Sequence, residues 1–339
     1  MERRLPIYLL LDCSESMAGP AIDALNRGVR LLLDELMKNP LALETAYISI
    51  ITFSRVARQI VPLTDILNFE PVPLTIRPGT ALGAALNLLL EDMQKSVRKT
   101  TETVKGDYKP LVFILTDGEP TDAWEDAAVR LRSAHGPGIA NIYAIGCGPD
   151  VDIECLHRIT DIVISMKEAT PEAFRKLFLW LSASVQSASR RLSEYSLEKK
   201  PAMPPLPEEF LELVQSFSAA RKDRKPRHVF LHALCSRTRR PYLMRFTLIQ
   251  EDGRYIAESS HPVDEMEKGD ADMLPPIHSS QLLNCPPCPY CEHRSAGMCR
   301  CGVLFCDDGR DEGPRACPGC GTLLMGMREG SFDVRQTEG

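Results

Sequence analysis

Several signals that mark enzymes, membrane proteins and secreted proteins are missing from this sequence of 339 residues. It has no run of roughly 18 to 20 apolar residues, the length that spans a membrane. The apolar run Leu5–Leu11 follows two arginines, as in a signal peptide, but Asp12 ends it early and no small-residue cleavage site follows. A P-loop, a serine nucleophile elbow and the protein-kinase signature set are also absent. These absences argue against an NTPase, a hydrolase or a kinase, and we expect a soluble, cytoplasmic protein.

The sequence also lacks a general excess of positive charge. Its net charge is −6 at pH 7 and its pI is about 5.7, which argues against a surface that serves nucleic acid or anionic membrane as a whole. Charge is nevertheless uneven, because residues 219–245 contain nine Lys or Arg and one acid, whereas residues 251–272 contain eight acids. Because aromatic residues are not regularly interleaved with the basic residues and an acidic run follows directly, nucleic-acid binding through this stretch and a zinc ribbon is the weaker alternative.

Short apolar runs alternate with helix-patterned stretches from Leu5 to about Leu192. The runs are LPIYLLLD, AYISIITF, RQIVPLT, KPLVFILTD, NIYAIGCG and DIVISM. The helical stretches are 21–37, 82–97, 123–133 and 171–191. This alternation of solidly apolar strands with helices predicts an α/β fold with a doubly wound, mostly parallel sheet. Only four residues separate AYISIITF from RQIVPLT, which predicts an antiparallel hairpin at one edge.

The second half of the chain has a different texture. Four prolines and a Lys pair in SLEKKPAMPPLPEEF are typical of a linker, and three β-runs, HVFLHALCS, RPYLMRFTLIQ and RYIAESSHPV, lie beyond it. A cysteine-rich segment follows, and the last residues are polar. We therefore predict an α/β domain at 1–192, a Pro-rich linker or helix at 193–226, a small β-rich, zinc-ribbon-like domain at 227–327 and a flexible tail at 328–339.

Oxygen-bearing side chains stand where the predicted strands end. The first strand leads into Asp12, Ser14 and Ser16, another ends at Asp117, and Thr80 precedes a helix. Ligands bind beyond the carboxyl ends of strands in an open parallel sheet, and oxygen ligands suit hard divalent cations. Each residue alone is more often a helix cap or a turn residue. Together, two carboxylates and three hydroxyls predict a site for Mg²⁺, or for Mn²⁺ or Ca²⁺, that keeps one coordination position open.

The motif Asp-x-Ser-x-Ser, a later Gly-Thr-x-Leu-Gly and a strand-terminal Thr-Asp-Gly occur in this order along the βα alternation. This combination resembles the von Willebrand factor type A domain over about the first 190 residues. In that family these residues form the metal-ion-dependent adhesion site, or MIDAS. The resemblance implies that Ser14, Ser16 and Thr80 contact the metal, and that Asp12 and Asp117 hold it directly or through water.

A narrower resemblance comes from LDCSESMAGPAIDALNRGV, PGTALGAALNLL and LTDGEPTDAW, together with RPYLMRF, SHPVDE and the terminal cysteines. These segments look like the TerY branch of the family, which is associated with tellurium resistance and carries a C-terminal metal-binding domain. The resemblance implies a group with a serine/threonine kinase and a metal-dependent type 2C protein phosphatase. It thus implies a protein partner that offers an acidic residue to the metal, in phosphorylation signalling linked to tellurium resistance or stress.

Eight of the twelve cysteines lie between residues 285 and 320. Two Cys-Pro-x-Cys knuckles predict a zinc ribbon held by Cys288, Cys291, Cys317 and Cys320. A second set for a further zinc is Cys285, Cys299, Cys301 and Cys306, in which His293 or His278 is an alternative ligand. We therefore expect one or two zinc ions, with an iron–sulfur cluster as the chemical alternative. Cys235, outside this segment, is interpreted as a packing residue of a β core.

The leading functional hypothesis is a non-enzymatic interaction module whose metal accepts a carboxylate from a partner. A metal-dependent hydrolase is the alternative from another class. Its only nearby candidates for a general base are Glu119 and Asp122.

Overall fold

The computed structural model describes residues 3–101, 103, 105–133, 140–148, 151–193, 204–214, 228–249, 253–264, 266, 276–307, 315–324 and 331–336. The chain forms two compact units. One comprises Met1–Thr75 and Thr80–Ala219, and the other comprises Ile76–Gly79 and Ala220–Gly339.

The first unit is an α/β structure around one sheet. Its elements are β1 (Leu5–Asp12), α1 (Pro20–Met37), α2 (Pro40–Thr45), β2 (Ala46–Phe53), β3 (Ala57–Asp65), α3 (Leu82–Ser96), β4 (Leu111–Thr116), α4 (Glu125–Ser133), β5 (Asn141–Cys147), α5 (Ile153–Ile159), β6 (Val163–Met166), α6 (Pro171–Ser193) and β7 (Leu211–Val214). The strand order is β3-β2-β1-β4-β5-β6-β7. The five central strands are parallel, and the edge strands β3 and β7 are antiparallel to their neighbours. The predicted fold class and edge hairpin are confirmed.

Both faces of this sheet are covered by helices, which explains its unbroken apolar strands. Every residue of β1 is buried, and so is every residue of β4. On one face of the sheet, α3, α4 and α5 form an apolar cluster with buried side chains of the strands, such as Tyr8 and Ile114. Helices α1 and α6 pack together so closely that a Cβ added at Gly28 would lie 2.1 Å from the Phe178 ring.

The structure differs from the prediction in the segment assigned as a linker. Within 193–226, β7 pairs antiparallel with β6 and completes the sheet. The indole Nε1–H of Trp180 on α6 donates to the carbonyl of Pro204 at 3.0 Å, so the proline-rich segment is anchored as well. Of the four residues of β7 only Leu211 is buried, and Glu212 and Leu213 are exposed, so this edge strand contains no apolar run that would predict it. Residues 194–203 and 215–226 of this predicted linker lie outside the described residues.

The second unit is β-rich. Its strands are β8 (His228–Leu234), β9 (Pro241–Leu248), β10 (Tyr255–Pro262), β11 (Ile277–His278), β12 (Leu282–Leu283), β13 (Ser295–Met298), β14 (Leu304–Asp307), β15 (Arg315–Ala316), β16 (Leu323–Leu324) and β17 (Asp333–Val334). Six of them form a sheet in the order β12-β10-β9-β8-β14-β13, in which the three predicted β-runs are the antiparallel strands β8, β9 and β10.

The predicted flexible tail, 328–339, also differs in part. Within it, β17 pairs antiparallel with β11, and Val334 is buried in the apolar cluster of the sheet. Residues 328–330 and 337–339 of that tail lie outside the described residues. Among the described helices of the chain, none combines the length and the apolar character that a membrane crossing requires.

Candidate metal centres

The predicted oxygen site lies where the sheet changes its winding direction. Strand β1 has β2 on one side and β4 on the other, so the carboxyl ends of β1 and β4 flank the topological switch point. Asp12 is the last residue of β1, and Asp117 follows the last residue of β4. Ser16 lies in the short 3-10 turn Glu15–Met17, and Ser14 lies immediately before this turn. Topology thus brings together two segments about a hundred residues apart in sequence.

Hydrogen bonds connect the oxygen atoms of this site in a continuous chain. The Ser14 and Ser16 hydroxyls are 2.8 Å apart, and the Ser16 hydroxyl donates to Asp117 Oδ1 at 2.6 Å. Asp12 Oδ1 accepts the Ser14 N–H at 2.9 Å, while Asp12 Oδ2 accepts the Thr116 hydroxyl. Four of the five predicted residues therefore share one hydrogen-bonded cluster.

Thr80, the fifth residue, is held at the same end of the sheet by backbone contacts. Its N–H donates to the hydroxyl of Thr121 at 3.0 Å, and its carbonyl accepts the N–H of Thr121 at 3.0 Å. The next N–H, that of Ala81, donates to the carbonyl of Ser54 just beyond β2. Thr121 belongs to the loop that carries Asp117, so both loops are joined directly at the predicted site.

The site is closed at its base and open at its rim. Asp12, Ser14 and Thr80 are 0 % exposed, whereas Ser16 and Asp117 are partly exposed. Burial raises the pKa of Asp12 to about 6, although hydrogen bonds from Ser14 and Thr116 oppose that shift. A buried carboxylate disfavours its charged form unless a positive charge compensates it. This burial and the all-oxygen donor set both fit a hard divalent cation.

The second unit contains two groups of four cysteines whose sulfur atoms all lie within 4.8 Å of one another. Cluster 1 consists of Cys235, Cys288, Cys291 and Cys306, and cluster 2 consists of Cys299, Cys301, Cys317 and Cys320. The contacts that define them include 3.4 Å for Cys291–Cys306, 3.7 Å for Cys299–Cys320 and 3.7 Å for Cys301–Cys317. Tetrahedral zinc with Zn–S bonds of about 2.3 Å requires sulfur separations of about 3.8 Å, so both clusters fit a Cys₄ zinc site.

The predicted grouping of the cysteines is wrong in three respects. The two Cys-Pro-x-Cys knuckles do not share a site, because Cys288 and Cys291 belong to cluster 1 and Cys317 and Cys320 belong to cluster 2. The second predicted set is split as well, with Cys306 in cluster 1, Cys299 and Cys301 in cluster 2, and Cys285 in neither. Finally, Cys235 is a member of cluster 1. It also packs in the β core, as predicted, so the packing interpretation was incomplete.

The clusters are interleaved along the chain, which is why spacing alone could not assign them. Strands β13 and β14 form a hairpin, and the residues at its turn, Cys299 and Cys301, face cluster 2 partners. Cys306, further along β14, belongs to cluster 1, where the N–H of Ser236 donates to its sulfur at 3.2 Å. That contact follows from the parallel pairing of β14 with β8, a long-range register that the cysteine pattern does not encode.

Cys235 belongs to a turn of the same form as the two recognised knuckles. In each of the three turns, the first cysteine donates its N–H to the carbonyl five residues later and accepts the N–H of the fourth residue after it. The fourth residue has a positive φ in each, 59° at Arg239, 63° at Glu292 and 76° at Gly321. The turn after Cys235 lacks a second cysteine, with Thr238 at that position, so no Cys-x-x-Cys motif marks it.

The remaining candidate ligands lie outside both clusters. Cys285 is half-buried with its sulfur 4.0 Å from that of Met244. His278 shares a hydrogen bond with Ser280 through Nδ1, and His293 contributes its carbonyl to the turn of Cys288. Neither histidine joins a sulfur cluster among the described residues.

Comparison with known families agrees with both units. The family model "von Willebrand factor type A domain" matches residues 7–175, and the model "TerY-C metal binding domain" matches residues 226–339. A comparison with curated proteins gives no match.

Among solved structures, proximal thread matrix protein 1 from the mussel byssus is 17% identical over 54% of this chain and 48% of its own, with a TM-score of 0.41. A structure of that protein with a zinc-occupied MIDAS motif is also 17% identical over 54% of this chain and 48% of its own, with a TM-score of 0.40. A von Willebrand factor type A protein from Catenulispora acidiphila is 17% identical over 55% of this chain and 43% of its own, with a TM-score of 0.42. The chain spans less than half the length of these proteins. The two family models together show that the chain joins a von Willebrand factor type A domain to a TerY-C metal binding domain, and with this architecture it belongs to the TerY-like proteins.

Proposed function

We propose that this chain is a non-enzymatic interaction module whose first unit binds a protein partner through Mg²⁺. The observation that carries the proposal is the open rim of the oxygen site, where Ser16 and Asp117 are partly exposed above the buried Asp12, Ser14 and Thr80. These five residues would hold the cation, and two carboxylates balance its charge. A carboxylate from a partner would complete the coordination at the rim, where a desolvated charge pair gives a strong and directional contact.

The surroundings of the site favour binding over hydrolysis. Both oxygens of Asp122 accept backbone N–H groups, from Gly83 and Ala84 at 2.8 Å each. Each of its oxygens is therefore engaged in capping α3, and hydrogen bonds that stabilise the charged carboxylate lower its basicity, which makes it a poor general base. Glu119, the other candidate, is exposed to solvent. Neither Asp122 nor Glu119 is therefore positioned as a general base at the cation site.

The basic stretch gives little support to nucleic-acid binding. Arg240 stacks over the Tyr290 ring at 4.6 Å, and Arg245 pairs with Glu258 at 3.2 Å. Both side chains are thus engaged within the second unit. Residues 219–227 of that stretch lie outside the described residues.

The two cysteine clusters are proposed to bind structural zinc. Four protein sulfurs complete a tetrahedral site and leave no position for a partner or substrate. A metal in cluster 1 would also link the turn between β8 and β9, which begins with Cys235, to the cysteine-rich segment that supplies the other three ligands.

For the partner we propose a metal-dependent type 2C protein phosphatase or a serine/threonine kinase, in a phosphorylation group linked to tellurium resistance or stress. The support is the TerY-like architecture and the partly exposed rim at Ser16 and Asp117, where an acidic side chain of the partner would reach the cation.

The test combines partner retention with metal content. The zinc-loaded full chain is immobilised, bound to the type 2C phosphatase or to the kinase of the same cell, and titrated with a chelator. We expect the partner to leave first and zinc to leave only at higher chelator concentration, because an open oxygen site exchanges its cation more readily than a closed Cys₄ site.

Release of partner and zinc together would place the binding surface in the second unit and contradict the proposal. Retention of the partner by an Asp12→Ala variant at saturating Mg²⁺ would contradict it as well. Hydrolysis of a phosphoester by the purified chain, lost in the same variant, would favour the hydrolase alternative.

A further inference from the structure

The loop after β4 contains two polar residues, Thr121 and Asp122, that bind the segment around Thr80. They follow Asp117 by four and five residues, so a single short loop carries both a predicted metal ligand and these two contacts. The segment that they bind comes from a different part of the chain, about forty residues earlier.

Thr121 fixes the backbone of Thr80 from both sides. The Thr121 hydroxyl accepts the N–H of Thr80, and the Thr121 N–H donates to the carbonyl of Thr80, each at 3.0 Å. Because Thr80 is fully buried, its backbone groups have no water to replace these partners. The hydroxyl of Thr121 thus satisfies a buried backbone donor beside the site.

Asp122 fixes the helix that begins just after Thr80. Its Oδ1 and Oδ2 accept the N–H groups of Gly83 and Ala84, two of the four donors that the start of α3 leaves unsatisfied. The two segments lie so close that a Cβ at Gly83 would stand 2.6 Å from the carbonyl oxygen of Ala123. Glycine is therefore required at this position, and the contact between the loops is tight along its length.

We propose that Thr121 and Asp122 are positioning residues for the cation, which set the distance between Thr80 and Asp117. The inference rests on the proposed function, because it assigns a role at the same cation site. Neither residue touches the cation itself. They act by holding two ligands from distant segments as one rigid pair, so the ordering of Thr80 occurs on folding and does not weaken cation binding.

The most informative variant is Thr121→Val, which keeps the shape of the side chain and removes the hydroxyl. Loss of one hydrogen bond that positions a ligand should weaken cation binding by about five- to tenfold. Thr121→Ser restores the hydroxyl and should bind as the parent does. Asp122→Asn keeps one acceptor and turns an NH₂ group toward the other backbone donor, so it should weaken binding by a similar factor.

The matched control is Thr160→Val, because Thr160 has the same kind of contacts far from the site. Its hydroxyl donates to the carbonyl of Ile142 and accepts the N–H of Ile162, at the amino ends of β5 and β6. Loss of this hydroxyl should lower the stability of the unit without changing its affinity for the cation.

The experiment measures Mn²⁺ binding to the zinc-loaded full chain by electron paramagnetic resonance, with circular dichroism as the check on folding. Weaker binding in Thr121→Val and Asp122→Asn, with parent-like binding in Thr121→Ser and Thr160→Val, supports the inference. If all four variants bind Mn²⁺ as tightly as the parent, the positioning role is wrong, whereas the cation site itself is unaffected. The positioning role is also wrong if Thr160→Val loses as much affinity for Mn²⁺ as Thr121→Val does. If the parent chain and Asp12→Ala bind Mn²⁺ equally, the proposed cation site is wrong and the positioning role falls with it.

Discussion

The two units build their candidate metal sites in opposite ways. In the first unit a large apolar core forms the sheet and helices, and the oxygen site is assembled on loops at the edge of that core. In the second unit the cysteines are core residues themselves, since Cys235, Cys288 and Cys306 lie in one apolar cluster and Cys299 and Cys317 lie in another. A metal at the first site would therefore bind to a structure that already exists, whereas metals at the second sites would help to create the structure.

The size of the secondary structure elements gives the reason for this difference. Strand β1 has eight residues, all buried, and its neighbours are covered by helices on both faces. In the second unit β8–β10 have seven or eight residues, but the cysteine-rich segment has only short strands, four residues each in β13 and β14 and two each in β15 and β16, which is too little for that segment to bury a stable core. Thiolate–metal bonds supply folding free energy where apolar burial is insufficient. Four predictions test this contrast, in order of decreasing expected effect on stability.

Removal of zinc should have the largest effect, and it should be confined to the second unit. Structural Cys₄ sites contribute about 10–16 kcal/mol of apparent binding free energy. We expect metal analysis of the full chain to give two zinc ions, and full chelation to abolish hydrogen-exchange protection in β8–β10 and β13–β14 while β1 and β4 stay protected. Protection that persists throughout the second unit after chelation would break the contrast between the units.

Substitution of Cys235 should remove one zinc of the two. Cys235→Ser leaves cluster 1 with three thiolates, whereas Cys285→Ser, the matched control, changes a cysteine outside both clusters. We expect a zinc content near one per chain in the first variant and near two in the second, measured by inductively coupled plasma mass spectrometry. Equal zinc contents in the two variants would show that Cys235 is a packing residue only.

Gly28→Ala should destabilise the first unit by an apolar clash. The added methyl group meets the Phe178 ring at 2.1 Å, and overpacking of a core costs about 1–3 kcal/mol. Urea denaturation followed by circular dichroism measures the loss. Because a smaller side chain at position 178 relieves the clash, the double variant with Phe178→Leu should recover part of the lost stability. The zinc content should not change in either variant.

Asp12→Ala should abolish Mn²⁺ binding at the oxygen site with the smallest effect on stability. Burial of Asp12 raises its pKa, so the metal-free fold gains little from this carboxylate, and we expect a change of less than about 2 kcal/mol in the free energy of unfolding. The control, Asp65→Ala, removes a carboxylate that caps a short helix away from the site. Loss of helix and strand signal in Asp12→Ala would make the site structural and erase its difference from the cysteine clusters.

Local patterns were sufficient for most of the first unit. The apolar runs and the helical periodicity matched the observed strands and long helices, because solid Val, Ile and Leu runs mark strands that are buried on both faces. Two short helices, α2 and α5, were not predicted because six and seven residues carry too weak a helical period. Strand β7 was not predicted because two of its four residues are exposed, whereas the equally short β6 is mostly buried and forms an apolar run.

The oxygen site and the cysteine clusters also differ in how far local sequence patterns could predict them. The sequence by itself determined the oxygen-bearing residues, since Asp12, Ser14, Ser16 and Asp117 sit at strand ends that a parallel sheet must bring to one edge. It also determined that the cysteines form metal-ligand turns, because Cys-x-x-Cys spacing is local. Only the tertiary structure decided which turns share a cluster and that Cys235 joins one of them, because the pairing of β14 with β8 is a contact between residues about seventy positions apart, which no local spacing can specify.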